Sequence, residues 1–320
     1  MKKRYSLLIS TVLLGMGYSS ASIATAIDLG AASDYNVFVK DSFTAVYSDV
    51  EGRVAAGGDV SVTGYSINLA NSALASSDTI PALVVGGDLN VNSAQVYGNV
   101  YVEGDYNATQ SFNIVDGSVN STGVSGVDFE SAFSSLAQLS GDLSSFSANS
   151  TAIDKWSTQY LTGTGSNNEQ GDIHIFSLDS SDFNYSNYLL SGIDAGDTIV
   201  FNVAGDNIST GWGNLAGSDF SLSDLSANII YNFYEADFIT LTAAMYGSIL
   251  APMADIYSNY GVIEGQVIAN SWTGSFQVND NSFVSSVASS SNSVSVSAPT
   301  SMAFLLLGLL TITMRRTFRK

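Results

Sequence analysis

Short runs of alternating apolar and polar residues, interrupted by glycine, recur along this chain and restrict the folds it can adopt. Val60-Ser61-Val62 follows Gly57-Gly58-Asp59, and Val100-Tyr101-Val102 follows Gly98-Asn99. Apolar residues two apart point to one face of a strand, and we expect the Gly-Asp and Gly-Asn pairs to supply the positive φ of sharp turns. The pattern predicts short strands joined by tight corners.

The spacing of these glycines favours a solenoid. Gly-Asp pairs begin at residues 58, 87 and 104, and Gly247 and Gly265 repeat the pattern late in the chain. The longer first interval fits a coil that carries a loop, the polar stretch 68–79. We predict an all-β fold, a right-handed parallel β-helix with inward Val, Ile and Leu, and keep a β-sandwich as the alternative.

One segment departs from the β pattern. Between residues 126 and 149, apolar residues recur every three or four positions, at Phe129, Phe133, Leu136, Leu139, Leu143 and Phe146. That spacing predicts one face of a helix, with Ser125 or Asp128 as its cap. We expect the helix to cover one side of the solenoid, because it lacks the basic face of a membrane-surface helix.

Both ends of the chain carry targeting patterns. Lys2-Lys3-Arg4, an apolar run and the small residues Ala24 and Ala26 predict a signal helix, residues 1–26, that is removed by cleavage after Ala26. Residues 299–320 hold a short apolar stretch and a basic end, which predict a C-terminal membrane helix. A Ser-rich linker at 282–298 would join this tail to a single domain at 27–281.

The segment between the targeting ends is strongly acidic. Residues 27–298 hold only Lys40, Arg53 and Lys155 against 29 acids, a net charge of 3 − 29 = −26. Such a surface repels nucleic acids and anionic lipids, so we expect no nucleic-acid partner. The chain has no cysteine, and its stability must come from apolar burial and backbone pairing.

The residue inventory argues against catalytic, cofactor and metal sites. The only histidine, His174, lies in a predicted strand, and the chain has no Gly-x-Ser-x-Gly motif that would supply a serine nucleophile. With one histidine and no cysteine, the chain also lacks the ligands of a zinc site. Three acid pairs could mimic a glycosidase: Asp179 with Asp182, Asp194 with Asp197, and Glu235 with Asp237. We expect Asp194 and Asp197 to lie in a turn. Calcium-loop spacings are absent, so calcium would bind only adventitiously.

Aromatic residues are the best candidates for ligand recognition. Trp212, Tyr257, Tyr260 and Trp272 could stack on sugar rings if they are exposed, and would fill the core if they are buried. Ice binding would need ranks of threonine repeated from coil to coil. Thr240 and Thr242 form one such pair without a series, which makes ice affinity a minor hypothesis.

Several blocks within residues 27–281 resemble, in order, the choice-of-anchor A family. They are Asn36-Val37-Phe38-Val39, the stretch 49–60, Leu83-Val84-Val85-Gly86-Gly87-Asp88-Leu89, Tyr97-Gly98-Asn99-Val100, the stretch 231–236, Gly247-Ser248-Ile249-Leu250-Ala251-Pro252 and Gly265-Gln266-Val267-Ile268-Ala269. The resemblance implies an adhesive, ice-binding-like β-helical domain with no catalytic residues to carry over.

The C-terminal tail resembles PEP-CTERM sorting signals. Its motif is Ser297-Ala298-Pro299, without the Glu-Pro pair of that pattern, and its basic cluster begins at Arg315 and Arg316. The resemblance implies an exosortase-like sorting protease as a partner, with the tail in the inner membrane only until it is processed.

These observations predict a secreted or cell-surface protein of a Gram-negative-type bacterium. We expect a non-enzymatic adhesin or biofilm-matrix component that recognises a polysaccharide or another surface. The alternatives are a passive structural component of the envelope and, less favoured, a carbohydrate-active enzyme.

Overall fold

The strands of the computed structural model follow one another as coils that wind past three faces. The structure describes residues 27–70, 79–109, 111–121, 125–163, 172–183, 187–194, 196–210, 214–217 and 225–285. A 3-10 helix (Gly30–Asp34) precedes the first coils, which supply β1 (Val37–Val39), β2 (Phe43–Val46), β3 (Asp49–Val50), β4 (Val54–Ala56), β5 (Val60–Thr63), β6 (Ser66–Ile67), β7 (Leu83–Val85), β8 (Leu89–Asn92), β9 (Gln95–Tyr97), β10 (Val100–Val102), β11 (Tyr106–Ala108), β12 (Asn113–Val115) and β13 (Val119–Asn120).

A helix, α1 (Phe129–Ser145), and a hairpin separate these coils from a second set. The hairpin strands are β14 (Thr151–Lys155) and β15 (Thr158–Thr162). The later coils supply β16 (Ile173–Asp179), β17 (Asn187–Ser191), β18 (Thr198–Ala204), β19 (Asn207–Thr210), β20 (Asn214–Gly217), β21 (Ile229–Phe233), β22 (Phe238–Leu241), β23 (Met245–Tyr246), β24 (Ser248–Ser258), β25 (Val262–Glu264), β26 (Val267–Gly274) and β27 (Gln277–Asn279), with 3-10 helices at Ser180–Phe183 and Ser226–Asn228.

Parallel pairing between successive coils defines three faces. The first face holds β1, β4, β7, β10, β13, β16, β18, β21 and the first halves of β24 and β26; the second holds β2, β5, β8, β11, β19, β22 and the second halves of β24 and β26. The third face holds β3, β6, β9, β12, β23, β25 and β27, and β14, β15, β17 and β20 form a separate sheet. Among the described strands, only β14 and β15 pair antiparallel. The β-sandwich alternative is therefore wrong, because a sandwich is built from antiparallel sheets.

The last coil stacks on the first coil. Strand β26 pairs with β24 on one side and with β1 and β2 on the other, which places Val267 opposite Val37 and Trp272 opposite Phe43. The first coil thus lies in the middle of the stack, with the early coils extending one way and the late coils the other.

Two apolar layers stabilise this β-helix-like stack. The interior is filled by inward residues of all three faces, including Phe201, Tyr231, Val267 and Val37. A second layer, which includes Phe38 and Ile268, lies between the outer surface of the first face and the helix α1. Strands of the first face are therefore buried on both sides, which explains why their sequences are almost continuously apolar.

Helix α1 covers the first face as the periodicity predicts. It occupies 129–145 within the predicted 126–149, and Asp128 is its cap, accepting a hydrogen bond from the backbone N–H of Ser131. Phe133, Leu136 and Leu143 are buried against the sheet. The chain leaves the helix at Phe146, whose backbone is extended.

Buried asparagines tie the end of α1 to the first face. Asn202 and Asn232 are register partners on β18 and β21. Asn232 Nδ2 donates to the Ser140 carbonyl at 2.9 Å and to Asn202 Oδ1 at 2.8 Å, while Asn202 Nδ2 donates to the Leu143 carbonyl at 2.7 Å. These bonds fix where the helix lies along the stack, because each buried amide group needs its partner.

The glycines of the Gly-Asp pairs have a different role from the one predicted. Gly58, Gly87 and Gly104 do not have positive φ, whereas Gly98 of the Gly-Asn pair does, at 120°. A Cβ on Gly87 would lie 2.2 Å from Asp59 Oδ1 and 2.8 Å from the Gly58 carbonyl carbon. The turn prediction was wrong for these three pairs: glycine is needed there because adjacent coils approach too closely for a side chain.

The aspartates that follow these glycines connect the coils. Asp59 Oδ1 accepts the backbone N–H of Asp88 at 2.8 Å, and Asp88 Oδ1 accepts the backbone N–H of Asp105 at 2.7 Å. The 29-residue and 17-residue intervals are thus both single coils, and the extra residues lie between β6 and β7 as predicted.

His174 is a buried structural residue. Its Nε2 lies 2.9 Å from Asp197 Oδ2, and Asp197 also accepts the backbone N–H groups of Asp172 and Asp194 at 2.8 and 2.7 Å. Burial opposes ionisation of Asp197, but these hydrogen bonds outweigh it and hold the pKa of the carboxyl below its ordinary value. The predicted turn at Asp194 and Asp197 is confirmed.

Backbone groups just past residue 281 hydrogen-bond to the domain. The Phe283 N–H donates to Gln266 Oε1, and the Val284 N–H donates to the Ala227 carbonyl at 2.7 Å. Both residues belong to the segment 282–298, which the sequence predicts to be a linker. The predicted signal helix and the tail at 299–320 lie outside the described residues. No helix within the described ranges has the length and apolar character needed to cross a membrane.

Replacing Gly86 by alanine tests the close packing of the coils. An added Cβ would lie 2.3 Å from the Gly57 carbonyl oxygen, so we expect Gly86→Ala to lower the free energy of unfolding by about 2 kcal/mol or more. Gly141→Ala on α1 is the matched control, since no heavy atom lies within 4 Å of its added Cβ. It should raise stability by about 0.5–1 kcal/mol. Urea denaturation measures both, and equal effects would contradict the packing explanation.

Acidification should weaken the contacts of Asp197. A carboxyl whose pKa is lowered by folding stabilises the protein above its unfolded pKa, about 3.9, and loses this contribution as the pH falls through its folded pKa. We therefore expect the stability difference between the native protein and Asp197→Asn to shrink between pH 5 and pH 3. Denaturation curves across this range measure it, and a constant difference would show that the charge of Asp197 contributes nothing.

Candidate binding face

The outer surface of the second face is formed by polar residues in register. Alternation turns Val60 and Val62 inward and Ser61 and Thr63 outward, and the neighbouring strands repeat the arrangement. One outward column runs through eight coils: Ser209, Thr240, Tyr257, Thr273, Thr44, Ser61, Asn90 and Asn107. A second column holds Val46, Thr63, Asn92 and Thr109. We call these two columns the polar face.

The polar face is accessible and internally ordered. Asn107 Nδ2 donates to Asn90 Oδ1, and Thr109 Oγ1 donates to Asn92 Oδ1, both at 3.2 Å. These four side chains are exposed, and an open depression of about 600 Å³ lies over them and over Thr44, Ser61 and Thr63. The face therefore presents hydroxyl and amide groups at the spacing of adjacent strands, about 4.8 Å.

Acidic residues border the polar face on one side. Asp41, Asp59, Asp88 and Asp105 lie at the corner that leads from the first face to the second, one in each of four successive coils. Farther along, Asp237 and Asp255 are exposed at the same corner. Exposed Lys40 precedes Asp41 at this corner, but the aspartates outnumber it, so the border disfavours an anionic ligand.

The four predicted stacking residues do not form one group. Tyr257 is in the polar face and 40% exposed, and Tyr260 follows it at the next corner, 83% exposed. Trp272 is fully buried, its ring stacked 6.5 Å from Phe43, so its assignment as a ligand-stacking residue was wrong. Successive side chains of β26 point to opposite sides of the sheet, so Trp272 points into the interior and Thr273 points outward. Trp212 lies outside the described residues.

Asp179 and Asp182, one of the acid pairs considered for catalysis, accept hydrogen bonds from backbone groups close to them in the chain. Asp182 Oδ2 accepts the backbone N–H of Asp179, and Asp179 Oδ1 accepts that of Ser181. Burial raises the pKa of Asp182, whereas the hydroxyl and backbone N–H of Ser181 lower that of Asp179. Such bonds define a turn. In the part of the chain that the structure describes, no three acids or histidines are grouped as metal ligands.

The polar face could not be recognised in the sequence, because its residues are far apart in the chain. Thr240 was assigned to a lone pair with Thr242, yet Thr240 continues through Tyr257 and Thr273 to Thr44, which is 229 residues away from Thr273. The available signal was the alternation of apolar and polar residues after each glycine, which marks the polar residues as outward in each strand. Only the stacking of the last coil on the first makes the two halves one surface.

Residues 28–280 match the family described as "Putative Ice-binding-like adhesive domain". Similar solved structures include an ice-binding protein from the Antarctic ascomycete Antarctomyces psychrotrophicus, 14% identical, with 82% of this chain and 98% of that chain covered and a TM-score of 0.38. Another is the DUF3494 domain of a Shewanella frigidimarina ice-binding protein, 10% identical, with 81% and 98% covered and a TM-score of 0.38. An ice-binding protein from an Antarctic biological consortium is 13% identical, with 83% and 93% covered and a TM-score of 0.39.

No curated protein matches the chain. The family match covers residues 28–280 of a chain of 320, so the protein belongs to the ice-binding-like adhesive domain family.

Proposed function

We propose that this protein is an exported adhesin that binds a polysaccharide through its polar face. The observation that carries the proposal is the register of outward side chains over eight coils, exposed or half-buried and all Thr, Ser or Asn except Tyr257. Hydroxyl and amide groups on rigid strands can exchange hydrogen bonds with the hydroxyl groups of a sugar chain without first being ordered, which reduces the entropic cost of binding.

Rigidity supports the same role. The strands beneath the polar face are anchored by an interior of buried Val, Ile, Leu and Phe, so the positions of the outward side chains are set by the coil spacing. A polysaccharide repeats along its length, and a repeating surface can contact many of its units. Weak individual contacts then add up along the chain.

The location we propose follows from the ends of the chain. A signal peptide cleaved after Ala26 would export the domain, and the Ser297-Ala298-Pro299 motif with Arg315 and Arg316 would hold it at the inner membrane until an exosortase-like protease releases it. These features, with the ordered blocks quoted above, support membership of choice-of-anchor A and a place in the biofilm matrix. We also infer that the coils wind to the right, as parallel crossovers do.

Ice is the second candidate ligand. Thr240, Thr273 and Thr44 belong to one column, and Thr63 and Thr109 to the other, which supplies the series of threonines that ice binding requires. Tyr257 interrupts the first column, and asparagines replace threonine in the outer coils. The mixed composition favours a polysaccharide over an ice lattice. We do not propose an enzyme, since the acid pairs serve turns or face solvent.

Removing amides from the polar face should weaken polysaccharide binding. We expect the triple variant Asn90→Ala, Asn92→Ala, Asn107→Ala to lower affinity at least tenfold, because each lost hydrogen bond contributes about 1 kcal/mol. Retention on immobilised polysaccharides measures the effect. The matched control is Ser66→Ala, Gln95→Ala, Asn113→Ala, a column on the third face.

Loss of binding in the control but not in the polar-face variant would overturn the proposal. Ice recrystallisation assays on the same proteins separate the second candidate: inhibition by the native protein, lost in the polar-face variant while no polysaccharide is bound, would favour ice. A passive envelope component would bind neither ligand, and cells without it would adhere normally.

A further inference from the structure

Two exposed tyrosines occupy equivalent turns at the corner between the second and third faces. Tyr47 lies between β2 and β3, and Tyr260 lies between β24 and β25. The flanking strands are in register through the intervening coil, with Thr44, Thr273 and Tyr257 aligned on one side and Val50, Val278 and Ile263 on the other. The tyrosines are therefore two coils apart, which corresponds to about 10 Å along the stack.

The coil between them leaves the corner open. Its turn contains Phe276, which is fully buried and lies directly beneath Gly261, where an added Cβ would be 2.6 Å from the Phe276 ring. Tyr47 and Tyr260 are 78% and 83% exposed. They stand as two separate aromatic surfaces at the edge of the polar face.

The backbone at Tyr47 is held in an unfavourable conformation. Its φ is 53°, and the equivalent positions in the next two coils, Gly64 and Ser93, have φ of 60° and 52°. A bulky aromatic residue is disfavoured in this left-handed region, where glycine is tolerated. The Tyr47 ring packs against Gly64, since a Cβ there would lie 2.8 Å from Tyr47 Cδ1. Tyr47 is therefore a strained residue whose ring is exposed at the edge of the polar face.

The charge around this corner restricts the ligand. The opposite border of the polar face is the aspartate row, and the segment between the targeting ends carries a net charge of 3 − 29 = −26. A polysaccharide rich in uronic acids would be repelled. A neutral sugar ring, in contrast, can place its apolar face on a tyrosine ring and its hydroxyl groups on Thr44 and Thr273.

We propose that Tyr47 and Tyr260 are stacking residues for a neutral, β-1,4-linked polysaccharide that runs along the axis of the coils. This inference rests on the proposed function and identifies its ligand class. An extended β-1,4-linked chain presents flat ring faces at a regular disaccharide repeat, which is close to the two-coil separation of the Tyr47 and Tyr260 backbones. A helically wound α-linked glucan turns its ring faces away from a straight edge.

Binding of the full chain to microcrystalline cellulose and chitin tests this proposal, with amylose as the α-linked polymer and polygalacturonate as the acidic one. We expect retention on cellulose or chitin and none on amylose or polygalacturonate. Tyr47→Gly and Tyr260→Ala should each weaken retention about five- to tenfold, and the double variant more than 25-fold. Tyr47→Gly suits the backbone, so it should fold at least as stably as the native protein.

Two controls separate stacking from other effects. Tyr47→Phe and Tyr260→Phe keep the rings and should retain most of the binding. Trp156→Ala removes a tryptophan that is also exposed, at 93%, and also has a positive φ, of 66°, but lies on the β14–β15 hairpin and not on the second face, so it should change nothing. Binding to cellulose or chitin that survives in the double tyrosine variant, or falls equally in Trp156→Ala, would overturn the inference. So would equal retention on amylose.

Failure of the inference differs from failure of the proposed function. If some polysaccharide is bound and the asparagine triple variant abolishes that binding while the tyrosine variants do not, the polar face is the site and the stacking edge is wrong. If the native protein is retained on none of the four polymers, the stacking inference is wrong, and the proposed function fails as well once other immobilised polysaccharides also retain none.

Discussion

The fold depends on the pairing of β26 with β1 and β2. This contact joins residues about as far apart as the domain allows: Val267 lies opposite Val37, and Trp272 opposite Phe43. Closing so long a loop costs conformational entropy, although that cost grows only slowly with length. This entropic cost is offset because the pairing covers the edge of β26 and the edges of β1 and β2, and because Trp272 and Phe43 stack in the interior. Without this pairing, two incomplete stacks would each expose an unpaired edge to solvent.

The same contact creates the surface to which we assign binding. Thr273 belongs to the last coil and Thr44 to the first, and their pairing makes one column from two halves of the chain. It also places Tyr260 and Tyr47 in equivalent turns on either side of the last coil. Helix α1 covers the first face and is fixed there by Asn202 and Asn232, which leaves the second face open. The architecture thus separates a buried side from an exposed one.

Much of the architecture could be predicted from local pattern. Alternation identified strands such as β5 and β8, and three-and-four spacing identified α1, because both periodicities follow directly from backbone geometry. The role of the glycines at 58, 87 and 104 could not be deduced this way. Close approach between coils and positive φ both demand glycine, and only the tertiary structure shows which of the two applies. For Trp272, alternation implied one side of a strand, but not which side was inward.

The sequence by itself determined that this chain forms glycine-punctuated parallel strands with one covering helix, and that residues 27–298 are strongly acidic. Those properties depend on composition and on residues that are close together in the chain. Only the tertiary structure decided which coils are neighbours, and therefore that Thr240, Thr273 and Thr44 share one column while Trp272 is buried. The physical reason is that the order of coils is set by edge pairing and burial between distant segments, which no local pattern specifies.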